Sequence, residues 1–143
     1  MKIDSFTEKD TFEVGRHYGA MALPGGVICL DGDLGAGKTV FVKGFAKGLE
    51  VKENISSPTF TIINEYDSGR IPLYHFDVYR LEDETEAEEI GAEEYFYGDG
   101  VCLIEWASVI EKIIPESAVR IRITRNPSMG EDYRLIETEE QNA

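Results

Sequence analysis

The feature that most constrains this chain is the segment Gly32–Thr39, which fits the phosphate-binding pattern G-x-x-x-x-G-K-[ST] at every fixed position. Such a segment forms a phosphate cradle only when it follows a buried strand and opens a helix. Residues 27–30 before it are a continuous apolar run, as in a strand buried on both faces. After it, Phe41, Phe45 and Leu49 recur every four residues, as in an amphipathic helix. The segment therefore predicts a parallel α/β sheet with a nucleoside triphosphate at the N-terminus of a helix.

The residue types of this segment suit phosphate chemistry. Glycines let the backbone turn tightly, so that its N–H groups approach the phosphates. Lys38 supplies a positive charge for the β- and γ-phosphates, and the Thr39 hydroxyl is a candidate ligand for Mg²⁺. The predicted nucleotide-binding residues of the loop are Asp33, Leu34, Gly35, Ala36, Gly37, Lys38 and Thr39.

A second apolar run, Val101–Glu105, closes with a carboxylate, as a Walker B strand does. Ligands of α/β sheets bind at the carboxyl ends of the strands, so we expect Glu105 at the metal site. Asp77 alternates with His75 on a predicted strand, and both side chains should share one face. Asp77 is predicted to act near Mg²⁺ or the attacking water, the alternative being a surface acid paired with Arg80. For His75, a hydrogen-bonded structural role is favoured over a catalytic one.

Length and charge limit the function classes. The chain has 143 residues with 42% hydrophobic content, which suits one α/β domain over residues 1–143. Its formal charge is −14, and binding to nucleic acid depends mainly on Lys and Arg, so we do not expect the chain to bind RNA without a partner. Both cysteines lie in apolar runs, and no stretch is long enough to span a bilayer. We expect a soluble, cytoplasmic protein with no membrane partner.

The remaining pattern predicts further elements. Thr7-x-x-Asp10 resembles a capping box, and Val14, Tyr18 and Met21 would be the apolar stripe of the helix that follows. The other predicted elements are a hairpin of strands Phe60–Tyr66 and Ile71–Tyr79, a helix Ser108–Ile114, and closing strands Val119–Thr124 and Tyr133–Glu137.

Eight acids fall between Glu82 and Glu94 with no basic residue among them. Such a run is usually a solvated helical face. The alternative is a docking surface for a basic partner, which would speed association.

Set beside Gly32–Thr39, the segments Ser57-Pro58-Thr59, His75–Arg80 and Glu105-Trp106 make the chain resemble the bacterial TsaE family, also called YjeE. The resemblance covers nearly the whole chain in order and thins after about Pro115. Together with the patterns above it predicts a P-loop NTPase-like three-layer sandwich, with a mainly parallel central sheet and antiparallel strands at the edges.

The resemblance implies a small ATPase that uses ATP and Mg²⁺. In that family it is needed for the threonylcarbamoyl modification of adenosine 37 in tRNAs that read codons beginning with A. The implied protein partners are TsaB and TsaD, with tRNA reached only through the complex.

Two more residues receive roles from these motifs. Thr59 is a candidate catalytic hydroxyl that would close on the γ-phosphate, or else a plain turn residue. Trp106 would stack on adenine or fill the core, and these alternatives stay open.

Two other functions are compatible with a phosphate-binding loop. A small metabolite kinase would need an arginine-rich lid, but the arginines are scattered along the chain. A guanine-nucleotide switch would need an [NT]-K-x-D element, which the sequence lacks.

Overall fold

The computed structural model describes residues 1–32, 36–56 and 62–139. Its strands are β1 (Lys2–Ser5), β2 (Val27–Asp31), β3 (Ile63–Tyr66), β4 (Leu73–Asp77), β5 (Val101–Glu105), β6 (Val119–Arg125) and β7 (Arg134–Glu139). Its helices are α1 (Glu8–Met21), α2 (Lys38–Gly48), α3 (Glu84–Glu89) and α4 (Ala92–Phe96), with 3₁₀ helices at Ala107–Ile113 and Pro127–Met129.

The strands form one sheet in the order β1-β7-β6-β2-β5-β4-β3. β2 lies at its centre and runs parallel to both β5 and β6, and β4 runs parallel to β5. The outer strands are antiparallel: β3 pairs with β4, and β7 pairs with both β6 and β1. The predicted sheet, parallel at the centre and antiparallel at the edges, is confirmed.

Helices cover both faces of the sheet because its central strands are apolar on both sides. On β2, Ile28 and Leu30 belong to the core under α1 and α2. Val27 and Cys29, which alternate with them, belong to the core under α3, α4 and the 3₁₀ helix Ala107–Ile113. The three-layer sandwich is thus confirmed.

Helices α1 and α2 pack with their backbones almost in contact. A Cβ atom placed on Gly15 or Gly19 of α1, or on Gly44 or Gly48 of α2, would lie 2.0–2.3 Å from a carbonyl oxygen of the facing helix. Only glycine allows this approach. The glycines therefore fix how α1 sits against α2, whose N-terminus forms the site described below.

The structure confirms several sequence predictions and corrects others. The Thr7 side chain accepts from the Asp10 N–H at 3.1 Å and caps α1, as predicted. The assignment of Met21 to the apolar stripe is wrong: the side chain is 63% exposed, because α1 packs through its glycine side. Strand β1 was not predicted, since four residues carry too little pattern.

Two other predicted elements differ in detail. The predicted helix Ser108–Ile114 is a 3₁₀ helix with a kink at Ile110. The predicted hairpin is present as β3 and β4, while the beginning of the strand Phe60–Tyr66 lies outside the described residues.

The acidic segment forms α3 and α4, two short helices whose carboxylates mostly face solvent. Ala87, Ala92 and Phe96 bury the inner side of this pair. Glu84 pairs with Lys112 at 3.3 Å, so a base from the 3₁₀ helix offsets part of the charge. Within the described ranges, no helix has both the length and the apolar character needed to cross a membrane.

Candidate nucleotide site

The P-loop segment joins the central strand to the helix above it, as the sequence predicts. β2 ends at Asp31 and α2 begins at Lys38, so the loop lies at the carboxyl end of the parallel strands. A Cβ on Gly32 would lie 2.4 Å from the Ile123 carbonyl oxygen, and Gly37 caps α2 with a left-handed φ of 96°. Both positions therefore require glycine. Asp33, Leu34 and Gly35 lie outside the described residues.

Lys38 has unusual surroundings for a charged residue. The residue is only 7% exposed, and its Nζ has no hydrogen-bond partner among the described residues. The ammonium group lies 4.0 Å from the centre of the Trp106 ring, close enough for a cation–π contact. A buried ammonium without an anion is costly, so this position suits a charge that meets a bound anion.

Two carboxylates on neighbouring strands line the same cavity as Lys38. Asp77 of β4 and Glu105 of β5 are partners in the parallel register, so both project to the face that carries α2. Glu105 is 8% exposed, and its Oε2 lies 2.7 Å from Nε2 of His75. Asp77 Oδ1 accepts from the Tyr79 N–H at 3.1 Å. The two predicted metal-site acids therefore line one cavity, and His75 contacts Glu105.

Trp106 adopts a backbone conformation that is rare outside glycine. Its φ is 63°, between β5 and the 3₁₀ helix. The ring packs between Lys38 and Tyr79, whose ring centre is 4.8 Å away. Trp106 also packs against the core on the side of α3 and α4, as one of the two predicted roles requires, and it contacts Lys38, which the sequence did not predict.

A cavity of about 350 Å³ connects these groups. Its lining includes Lys38, Thr39, Asp77, Glu105 and Trp106. The cavity also extends past Gly37 to four residues that sequence reasoning missed: Glu8, Thr11, Asp132 and Arg134.

Hydrogen bonds hold two of the missed residues, Arg134 and Thr11, in place. Arg134 Nε donates to the Ala36 carbonyl at 3.0 Å, which ties β7 to the P-loop. Thr11 Oγ1 lies 2.6 Å from Ser5 Oγ, on the first turns of α1. The sequence signal for Thr11 was the capping box just before it, whereas nothing local marks Arg134.

The carboxylate at the end of β2, Asp31, is half-buried. Burial raises the pKa of the Asp31 carboxyl, while the nearby Arg122 and Lys38 charges act to lower it. Asp31 directly precedes the P-loop, so the loop begins beside an acid that is less readily ionised than usual.

The donor set suits a shared metal ion better than a metal held by protein alone. In the described ranges, no three carboxylate, imidazole or thiolate residues converge as a metal site. Asp77, Glu105 and Thr39 nevertheless supply oxygen atoms to one cavity. Mg²⁺ is commonly bound by one or two protein oxygens, and phosphates and water complete its coordination shell. The oxygen atoms of Asp77, Glu105 and Thr39 fit this mode of binding. Thr59, the other predicted catalytic residue, lies outside the described part of the chain.

Comparison with known proteins places the chain among close relatives. The profile of the family described as "Threonylcarbamoyl adenosine biosynthesis protein TsaE" matches residues 5–135. A Bacillus subtilis protein named tRNA threonylcarbamoyladenosine biosynthesis protein TsaE is 49% identical over 136 residues, covering 95% of this chain and 83% of the relative. A Treponema pallidum protein of the same name is 46% identical, covering 86% and 90% respectively.

A solved structure agrees with the fold. The crystal structure of Bacillus subtilis YdiB superposes with a TM-score of 0.81 at 44% identity, and covers 99% of this chain and 86% of that one.

Proposed function

The chain belongs to the TsaE family, and from that membership we propose that it is a Mg²⁺-dependent ATPase acting in tRNA threonylcarbamoyladenosine biosynthesis. The names of its relatives support the pathway, and the family suggests nucleotide binding. ATP as the nucleotide follows from the family resemblance, and the oxygen donors Thr39, Asp77 and Glu105 that line the cavity support Mg²⁺.

The observation that carries the proposal is the Lys38 ammonium. It is buried at the cavity wall with no hydrogen-bond partner in the described part of the chain, and Asp77 and Glu105 line the same cavity. A triphosphate would supply the anion that this charge lacks, and the N-terminus of α2 would add its dipole. The rest of the nucleotide would extend past Gly37 toward Thr11 and Arg134.

Thr39, Glu105 and Asp77 are the residues that would hold the metal. When bound, Mg²⁺ would neutralise charge on the phosphate oxygens. Asp77, whose carboxylate also accepts from the Tyr79 N–H, would orient the attacking water. Trp106 would keep Lys38 within reach of the phosphates.

The proposed partners follow from the family and the charge. With a formal charge of −14, the chain has little affinity of its own for a phosphate backbone. We infer that it acts with TsaB and TsaD and reaches tRNA through them.

The test is ATP turnover and nucleotide binding in three variants. Glu105→Gln, Thr39→Ala and Asp77→Asn should keep nucleotide binding and lower the Mg²⁺-dependent rate about a hundredfold, because each removes an oxygen and leaves the backbone cradle intact. Glu88→Gln on the exposed side of α3 is the matched control. Wild-type turnover in Glu105→Gln would remove that residue from the metal site. Absence of ATP binding in the wild type would reject the proposed function.

A further inference from the structure

We propose that His75 is a positioning residue: its Nε2–H holds the Glu105 carboxylate in the orientation that the nucleotide site needs. The proposal rests on the proposed function, and it gives a task to a histidine for which the sequence favoured a merely structural role.

The geometry places His75 behind the carboxylate. His75 lies on β4 opposite Leu103 of β5, two residues before the Asp77–Glu105 pair, so its side chain is a diagonal neighbour of Glu105 on the same face. The residue is 2% exposed, and Nε2 is 2.7 Å from Glu105 Oε2. The contact is therefore short and shielded from water.

The other ring nitrogen indicates where the proton lies. Nδ1 of His75 is also buried and has no hydrogen-bond partner among residues 1–32, 36–56 and 62–139. A proton on Nδ1 would be a buried donor without an acceptor, which is costly. A proton on Nε2 instead meets an acceptor, Oε2 of Glu105.

This hydrogen bond gives the two oxygens of the Glu105 carboxylate different roles. Oε2 of Glu105 is engaged by His75, which leaves Oε1 as the oxygen available to the cavity that Glu105 lines. Fixing one oxygen restricts the rotation of the carboxylate and so the direction of the other. Groups that support a metal ligand in this way typically change metal affinity or activity about 10- to 100-fold when they are removed.

A purely packing role predicts a different outcome. Leu73 and Leu103 line the same face of β4 and β5, so an apolar side chain at position 75 would suit its neighbours. A leucine would preserve volume and remove the donor, whereas a glutamine would retain an N–H group of similar reach. Comparing the two variants separates the hydrogen bond from the packing.

The experiment measures Mn²⁺ binding in the presence of ADP by electron paramagnetic resonance, and nucleotide affinity in EDTA by calorimetry. We expect His75→Leu to weaken Mn²⁺ binding about 10- to 100-fold and to change nucleotide affinity in EDTA by less than about twofold, because the ring serves the metal side of the site. His75→Gln should recover most of the loss. His17→Gln, at the other and exposed histidine, should match the wild type.

A second measurement needs neither nucleotide nor metal. Long-range ¹H–¹⁵N spectra of the wild type should show a proton on Nε2 of His75, and Glu105→Gln should shift that signal. With two histidines in the chain, His17→Gln completes the assignment.

Three results would overturn the proposal: wild-type Mn²⁺ affinity in His75→Leu, equal losses in His75→Leu and His75→Gln, or a His75 ring without a proton on Nε2. A wild type that binds no nucleotide would instead reject the proposed function, and the spectra would still decide the hydrogen bond, even if His75→Leu failed to fold.

Discussion

Lys38 keeps a charge buried where no described residue forms a hydrogen bond with it, and its ammonium group packs against the Trp106 ring. Such a charge costs folding free energy, because burial removes water that the protein does not replace. At the scale of single residues, the cost can therefore be measured as a change in the free energy of unfolding of the nucleotide-free protein when Lys38 is replaced.

Lys38→Met should abolish ATP binding without lowering the free energy of unfolding by more than about 1 kcal/mol, because methionine keeps the apolar stem and removes the buried charge, and only the cation–π interaction with Trp106 is lost. Calorimetry with ATP and unfolding in urea measure the two effects. Lys43→Met, on the exposed side of the same helix, is the control. Unchanged ATP affinity in a folded Lys38→Met protein would contradict the P-loop assignment.

The two cysteines are expected to be inert in the folded protein. Burial is the main cause that raises the pKa of Cys29 and Cys102 to about 12, from an ordinary value of 9.0. The thiolate is the reactive form, so thiol reagents at about pH 8 should label both only after unfolding. Rapid labelling of the native protein would contradict this expectation.

The same pKa shift has a consequence for stability against pH. A raised pKa means that the folded state holds the thiol proton more tightly than the unfolded state does. The associated stability is complete below about pH 9 and is lost as the pH rises toward 12.

At the scale of elements, the packing of α1 on α2 decides how the two helix N-termini share the cavity. Gly44→Ala would place a Cβ 2.1 Å from the Phe12 carbonyl oxygen. We expect the unfolding free energy to fall by about 1–3 kcal/mol, although alanine favours helix. Urea unfolding measures it.

The control for this prediction is Ala20→Gly, at an exposed position of α1. It should cost about 0.5–1 kcal/mol from helix propensity alone. A Gly44→Ala protein as stable as the wild type would show that the helices can separate without cost.

These elements also show what the sequence could and could not predict. The P-loop, β2, α2 and β5 follow from contiguous patterns, and so do the positions of Lys38 and Glu105. Arg134 could not be predicted at the site, because its place depends on the pairing of β7 with β6 and on the Ala36 carbonyl, far apart in sequence. The hydrogen bond of His75 likewise depends on the register of β4 against β5, which no local motif specifies.

At the scale of the whole molecule, the charge governs encounters with other molecules. Twenty-eight acids against fourteen bases leave the surface negative. A basic partner would be attracted over roughly a Debye length, about 10 Å at moderate salt. Naked tRNA would be repelled.

We therefore expect TsaB with TsaD to raise steady-state ATP turnover at least tenfold. An arginine supplied in trans is worth about a thousandfold to a hundred-thousandfold in P-loop enzymes. Full activity of the isolated chain, unchanged by the two proteins, would contradict the expectation and favour a self-sufficient enzyme. Naked tRNA, added in a separate sample, should not raise the rate of ATP turnover.

The alternative to an arginine supplied by a partner is one from this chain, and Arg134 is the candidate because it lines the cavity. Its Nε donates to Ala36 and its Nη1 to the Glu131 and Tyr133 carbonyls, so it is committed to backbone groups. Arg134→Lys should therefore disturb the P-loop and weaken nucleotide binding more than it lowers the chemical rate. Equal binding with a collapsed rate would instead identify an arginine acting on the phosphates.

The two outermost strands, β1 and β3, are each four residues long. Their exposed side chains include Lys2, Asp4 and Glu65, which a newly added strand would have to accommodate. Short, charged margins of this kind are poor templates for further strand addition, so growth of the sheet into fibrils is disfavoured. Concentrated stocks of the protein are accordingly expected to stay clear of cross-β aggregates, despite the long parallel centre.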